Sequence, residues 1–370
     1  MKKYLISFGI LLAANFTQAQ EYKFETVTDV EYTPVISQGR TGTCWSFSTS
    51  SFLESEILRE TGKQIDLSEM YNVRHTYPVK AENYVMRQGK AQFSEGGLAH
   101  DVMNSVAKNG LVPQSVYSGL DQGEDMHNHA EMVAVLTSML NTYIDQPSGQ
   151  LSADWKDAVN AVLDVYLGAP VNEFTYEGKT YTPQSFLEMT GIDPKDYVTI
   201  TSFKDQPDYS QFILNIPDNF SNGSFYNVPL EDFMATIDYA LEDGYSVELD
   251  VDVSEDTFSG KAGVAVIPAN PSDAKSALKS IKPEKEITPE LRLQEFQNYS
   301  TTDDHLMHIT GIVKDQKGNK YYKVKNSWGT SNHGNEGFVY MSEPYLKLKA
   351  ISIMVHKEAV PENIAQNLSL

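Results

Sequence analysis

Small and apolar residues first fall into a helical rhythm at Cys44. Cys44, Phe47, Ser48, Ser51, Phe52, Ser55 and Leu58 follow the i, i+3, i+4 rule, which predicts a helix burying one stripe. Thr61-Gly62 stops it, and Asp66-Leu67-Ser68-Glu69 reads as the cap of a second helix running toward Tyr77-Pro78. A third helix follows Ser94-Glu95-Gly96-Gly97, with Leu98, Val102 and Val106 on one stripe and Asn109-Gly110 at its end. A second helical block runs from about Asp121 to Pro183. Met132, Val133, Leu136, Met139 and Leu140 mark one amphipathic helix. Ser152 caps another, with Trp155, Val159, Val162 and Tyr166 on its apolar face and Gly168 behind it. Phe174 to Lys179 reads as a short hairpin around Glu177-Gly178, and Leu230 to Asp243 as a helix ended by Gly244. The period then changes to two. Tyr245 to Val251 alternates as a half-buried strand, and His305 to Lys314, Tyr321 to Asn326 and Gly337 to Met341 read as three more, the first two joined at Lys317-Gly318-Asn319. Pro268 to Pro289 is polar, proline-containing and lysine-rich, the pattern of a long surface loop. Helices first and strands last make an α+β chain.

Length and charge narrow the class. The 370 residues can bury a large core in one or two domains. A formal charge of −21 speaks against a nucleic-acid binder, which needs basic patches to displace counterions. Met1-Lys2-Lys3, an apolar run from Tyr4 to Phe16 and Thr17-Gln18-Ala19 form the pattern of a secretory signal peptide cut near Ala19–Gln20. The run is too short to span a membrane comfortably, and no cysteine near the cut offers a lipid anchor. The expected product is exported, periplasmic or extracellular, with no membrane anchor. With one cysteine no intramolecular disulfide forms, so stability comes from the core or from self-association.

That single cysteine sits in Gln38-Gly39-Arg40-Thr41-Gly42-Thr43-Cys44-Trp45-Ser46-Phe47. A glutamine six residues before a nucleophile can set its amide beside the sulfur and stabilise an oxyanion. The small residues before Cys44 allow a tight turn, and a helix N-terminus favours thiolate. A cysteine nucleophile needs a base, and the base an orienting partner. Thr302-Asp303-Asp304-His305 supplies a histidine, and Lys325-Asn326-Ser327-Trp328-Gly329 an asparagine that fixes its ring and a tryptophan that shields the pair. His308 competes with His305. Residues three apart on a strand point to opposite faces, and His305, at the strand's start and behind an aspartate, is the one placed to overhang a cleft. His75, His100, His127, His129, His333 and His356 read as solvated polar residues without the companions of a metal site.

The cysteine segment and Asn326-Ser327-Trp328-Gly329 resemble those of the papain-like cysteine peptidases. The resemblance implies a two-lobe fold, helical on the left and antiparallel β on the right, with an inserted helical subdomain. It implies Gln38 as oxyanion donor, Cys44 as nucleophile, His305 as general base and acid, Asn326 as orienter, and Trp45 and Trp328 as shields. Gly96 and Gly97 would offer backbone groups to an extended peptide. The insertion after Tyr117, Thr182-Pro183-Gln184-Ser185-Phe186, His333 to Phe338 and the run Val355 to Glu362 look like the bleomycin hydrolase / aminopeptidase C branch. The expected division is 1–19 signal peptide, 20–120 helical lobe, 121–205 helical insertion, 206–355 β-rich lobe and 356–370 tail. The chain departs from the branch in its export signal and in its acidity, where some relatives bind DNA through a basic channel. It departs also in ending at Asn367-Leu368-Ser369-Leu370, short of the full arm whose terminal carboxylate pairs with a substrate's amino terminus. The implied activity is that of an exported cysteine aminopeptidase on short peptides, with peptides as partners and no metal or cofactor. An endopeptidase or dipeptidyl-releasing enzyme of the same fold, a Cys-His acyltransferase and a silent peptide binder stay open.

Overall fold

Helices fill the first half of the chain and strands the second, as the change of period predicts. The structure is a computed structural model that describes residues 21–120 and 123–370; the leader and its cut site lie outside them. In chain order the elements are β1 (Phe24–Asp29), α1 (Cys44–Thr61), α2 (Glu69–Met86), α3 (Ala99–Asn109), α4 (Ala130–Asp145), α5 (Trp155–Leu167), β2 (Phe174–Tyr176), β3 (Lys179–Tyr181), α6 (Pro183–Thr190), β4 (Tyr197–Thr201), β5 (Gln211–Ile213) and β6 (Ser224–Asn227). Then come α7 (Leu230–Glu242), β7 (Val247–Val251), β8 (Phe258–Ser259), β9 (Val264–Ala265), α8 (Ala274–Ala277), α9 (Pro289–Gln297), β10 (His305–Asp315), β11 (Lys320–Lys325), β12 (Phe338–Ser342), α10 (Glu343–Lys349), β13 (Ala350–His356) and α11 (Glu362–Leu368).

The strands, apart from the β2–β3 hairpin, form one sheet in the order β5-β6-β4-β13-β7-β10-β11-β12-β9-β8, with β1 paired to β10. The pairs are antiparallel except β4–β6 and β9–β12. Gly311 of β10 lies where a β-carbon would collide with the Thr28 carbonyl, so the absent side chain is what lets β1 close on β10.

Helix α1 lies against one face of this sheet and is buried from Cys44 to Ile57, all round rather than along one stripe. One side meets the helical lobe through Leu53 and Ile57, which share a buried apolar cluster with residues of α2, α3 and α6. Each such fully buried side chain contributes about 1.5–3 kcal/mol. The other side is serine-rich and meets polar groups of the sheet. Ser48 donates to the Met307 carbonyl at 2.7 Å and to Glu248 at 3.3 Å, and Ser51 meets His308 Nδ1 at 2.9 Å. The alternation in β7 therefore does not mark a solvated face, because all five residues are buried. Val247, Leu249 and Val251 face the apolar layer under α7. Glu248 turns toward α1, and burial pushes its carboxyl up to about 8, so it is held neutral at pH 7.

Other elements depart from the sequence pattern for local reasons. α2 runs through Pro78 to Met86, because Tyr77, Ala81 and Val85 stay buried on both sides of the proline. Asp154, not Ser152, precedes α5. β4 belongs to the main sheet, so the helical insertion ends before Tyr197. The stretch from Pro268 to Pro289 contains α8 and tucks Glu284 inward, where its carboxylate accepts from the Ile267 N–H at 2.7 Å and the Ser342 hydroxyl at 2.6 Å. Among the described residues no helix is long and apolar enough to cross a membrane.

Candidate active site

Cys44 is the first residue of α1 and is buried with only 8% exposure. The N–H of Leu306, the residue after His305, faces the thiol and favours its charged form. Burial is the largest influence on the thiol and pushes it up to about 12; Asp218, Asp303 and Asp250 push the same way, against the Leu306 N–H. The helix-terminus expectation of a ready thiolate thus meets a stronger opposing effect, the burial of a charge among carboxylates.

His305 opens β10, and Asn326 follows β11, the neighbouring strand. His305 Nε2 lies 2.8 Å from Asn326 Oδ1, which also accepts the Ser327 N–H at 2.7 Å. An amide oxygen opposite Nε2 requires that nitrogen to carry a proton, which leaves Nδ1 as the basic one. Trp328 covers the ring at a centroid distance of 4.9 Å. Burial pushes the imidazole down to about 4, partly countered by the Asn326 bond. His308 faces the other way, toward Ser51 and Phe52 of α1.

Gln38 reaches this place because its segment zips onto the Asn326–Gly329 segment. The Gln38 N–H donates to the Ser327 carbonyl at 2.8 Å, and the Gly329 N–H to the Ile36 carbonyl at 3.0 Å. The Gln38 side chain accepts from the Ser327 hydroxyl at 2.5 Å and donates to the Thr41 carbonyl at 2.6 Å, which leaves one amide N–H uncommitted. Trp45 is not a lid. It is fully buried under the glycine pair, with its indole N–H on the Glu95 carbonyl at 2.8 Å and its ring 3.1 Å from where a Gly97 β-carbon would stand. Gly96 gives its carbonyl to the Lys80 ammonium, and an added β-carbon there would coincide with the carboxylate of Asp218. The Glu95 carboxylate accepts the Gly42 N–H at 2.5 Å.

No motif pointed to Lys80, Asp218, Asp250 or Asp303. A buried acidic position inside an apolar strand, as at Asp250, is the one signal that sequence offers. His127 and His129 are buried rather than solvated, with His127 edge-on to Phe47 at 6.2 Å. Glu54, Asp66 and Glu69 bring carboxylates within 4.8 Å of one another below α1. Glu54 is already taken by Thr33 and by the Leu67 N–H, Asp66 is exposed, and the charge of Lys325 acts on all three, so the group reads as carboxyls gathered around a lysine. A cavity of about 480 Å³ lies among α2, α3 and α5, and Cys44 is not in its lining.

A cysteine opening a helix that packs on a sheet, with a histidine and an asparagine on adjoining strands beside it, defines the class of papain-like cysteine peptidases. The chain belongs to the Peptidase C1-like family, whose model matches residues 82–369; His305 and Asn326 fall inside the match, and Gln38 and Cys44 precede it. Relatives align over more of the chain. Aminopeptidase G of Lactobacillus delbrueckii subsp. lactis is 24% identical, covering 92% of this chain and 85% of that protein. Bleomycin hydrolase of Rattus norvegicus is 22% identical, over 96% and 87%. The fold matches the crystal structure of pepw from Lactobacillus rhamnosis with a TM-score of 0.74 at 18% identity, covering 93% of this chain and 84% of that one. These likenesses set the chain in the bleomycin hydrolase / aminopeptidase C branch.

Proposed function

We propose that this protein is an exported aminopeptidase that trims short peptides through Cys44, His305 and Asn326. The observation that carries the reading is the His305–Asn326 bond of 2.8 Å beside a buried thiol faced by the Leu306 N–H. With Nε2–H committed to Asn326, His305 Nδ1 takes the thiol proton as sulfur bonds to the scissile carbonyl carbon. The carbonyl oxygen gains the negative charge and meets the uncommitted amide N–H of Gln38. His305 returns the proton to the departing amine as the C–N bond breaks. Water then gives a proton to His305, its oxygen displaces the sulfur, and the acid and the thiol are restored. Burial raises the thiol and lowers the imidazole, so each is driven toward its neutral form before the substrate binds. The relatives named aminopeptidases favour cleavage at the amino terminus.

Mass spectrometry of products from a mixed peptide library tests this. Single amino acids released stepwise from the amino terminus, lost in Cys44→Ala, are expected; internal fragments as the main products exclude the aminopeptidase, and full activity of Cys44→Ala excludes the mechanism. The export half of the proposal rests on the leader-like pattern up to Ala19. Sequencing the mature protein from its native cell should give a start near Gln20 outside the cytoplasm, and a cytoplasmic protein starting at Met1 contradicts it.

A further inference from the structure

An enzyme that removes amino-terminal residues must recognise an ammonium group, and the usual partner for one is a carboxylate with a free oxygen. The tail does not supply it. Ile364 and Leu368 of α11 are buried with Leu230, Phe233 and Ile237 of α7, on the face of the sheet opposite α1. Glu95 has one oxygen on the Gly42 N–H and keeps the other, so it is the rival to be tested beside Asp218.

Resting on the aminopeptidase reading, we propose that Asp218 is the residue that receives the substrate's terminal ammonium and closes the cleft beyond it. Asp218 stands in the loop between β5 and β6, which crosses to the glycine pair and seats its carboxylate on Gly96. That seat is where an extended peptide would have paired, and Lys80 has already taken the Gly96 carbonyl. A passing chain is thereby stopped, while the head of a peptide is left between Asp218 and Cys44. Gly97, beside that seat, lies over the ring of Trp45, the residue after Cys44, which sets Asp218 on the nucleophile's side of the glycine pair.

The carboxylate is presented rigidly. Asn219 braces the loop from inside, donating to the Leu214 carbonyl at 2.8 Å and the Gly223 carbonyl at 3.0 Å and accepting the Gly223 N–H at 2.7 Å. Ser221 meets His100 at 2.9 Å, and Phe220 lies under the Lys80 ammonium at 4.9 Å. Asp218 Oδ1 accepts from Gln92 at 3.0 Å, and Oδ2 has no hydrogen-bond donor among the described residues.

A second observation points to a cationic ligand. The Asp218 N–H donates to Asp303 Oδ2 at 3.3 Å. Behind it Asp250, only 1% exposed, is driven toward its protonated form by burial and by the charge of Asp303, and its carboxyl shares a hydrogen bond with Asp303. Three carboxyls thus run from the glycine pair into the protein with Lys80 as the cation among them; the inner two share a proton, and Asp218 at the open end is the one with an oxygen left for a donor from outside.

The test compares matched peptides with free and acetylated amino termini in the full-length protein, its Asp218→Asn variant and a Glu95→Gln control, with thermal unfolding to verify the fold. The wild type should prefer the free amine. Asp218→Asn should lose about 10–100-fold in kcat/KM on the free peptide, the worth of one charged hydrogen bond, with the acetylated peptide cut at least as well as before. If the variant does not fold, carbodiimide coupling of glycinamide to the wild-type protein, mapped by mass spectrometry, should modify Asp218 and abolish the same preference. A free-amine preference unchanged in folded Asp218→Asn, or after complete coupling at Asp218, overturns this inference alone. A wild type that treats both peptides equally overturns the aminopeptidase reading and this inference with it.

Discussion

Replacing Asn326 by alanine isolates the contribution of one atom. Asn326 Oδ1 accepts from His305 Nε2 at 2.8 Å and from the Ser327 N–H at 2.7 Å, at a site where the imidazole is 4% exposed. Truncation leaves two buried donors unpaired, and each costs about 1–3 kcal/mol. That loss falls on stability and shows as a lower Tm. The loss in rate is separate. When His305 holds the thiol proton it is an imidazolium, and its bond to Asn326 becomes charge-assisted, worth about 1.5–3 kcal/mol. Removing it lowers kcat/KM by roughly 10–150-fold, at 1.4 kcal/mol per decade. The same bond supports the imidazole's basicity, so without it His305 titrates below its present value of about 4. The assay is kcat/KM on an aminoacyl coumarin amide at pH 7, at a temperature well below the variant's Tm. A folded Asn326→Ala within twofold of wild type would show that Asn326 does not orient the base.

The acid limb of the kcat/KM profile should fall near pH 4, where burial holds His305, and a midpoint near 6.5 would mean an imidazole in open water. Buried carboxyls should pull thermal stability down as pH rises from 6.5 to 8: Glu54, Glu284 and Asp303 are pushed up to about 7 and Glu248 to about 8, so the folded state keeps protons that the unfolded chain has released, while the unfolded chain's histidines, and Lys80 and Lys325 held down to about 8 in the fold, act against that slope. Glu248→Gln should flatten that slope by roughly 1.4 kcal/mol per pH unit, and an unchanged slope in melting curves refutes the assignment. Ending the chain at Pro361 removes Ile364 and Leu368 from the layer under α7, which should cost about 1.5–3 kcal/mol for each side chain. The ratio of free to acetylated peptide cleavage should stay as it was, and a changed ratio would put the tail back in the cleft.

Much of this was legible because local rules and global packing agree. The helix starts at Cys44 and Ser68 follow from turn and cap chemistry, and the turn at Lys317-Gly318-Asn319 from its glycine. Strand alternation let only one of His305 and His308 face Cys44, and the choice of His305 came from its place at the strand's start behind an aspartate. What stayed hidden depends on partners far along the chain. β1 is largely exposed and weakly patterned, and it exists because Gly311 admits it. β13, buried throughout as Ala350–His356, has no alternation to mark it as a strand. β7 alternates between an apolar and a polar neighbour, both buried, which a two-letter pattern cannot distinguish from core and water. Asp218 has no signal at all, since its meaning lies in being seated on Gly96 across more than a hundred residues.

The pairing of β1 with β10 also sets an order in time. Phe24 sits opposite Asp315, and Gln38 hangs on Ser327, so the beginning of the chain cannot take its final place until nearly the end has been made. Such long-range closure is slow to form. A chain synthesised only as far as Asp304 carries the thiol and lacks the base that would use it. Under the proposed mechanism, cutting power therefore comes only once β10 has been made and has closed on the start of the chain.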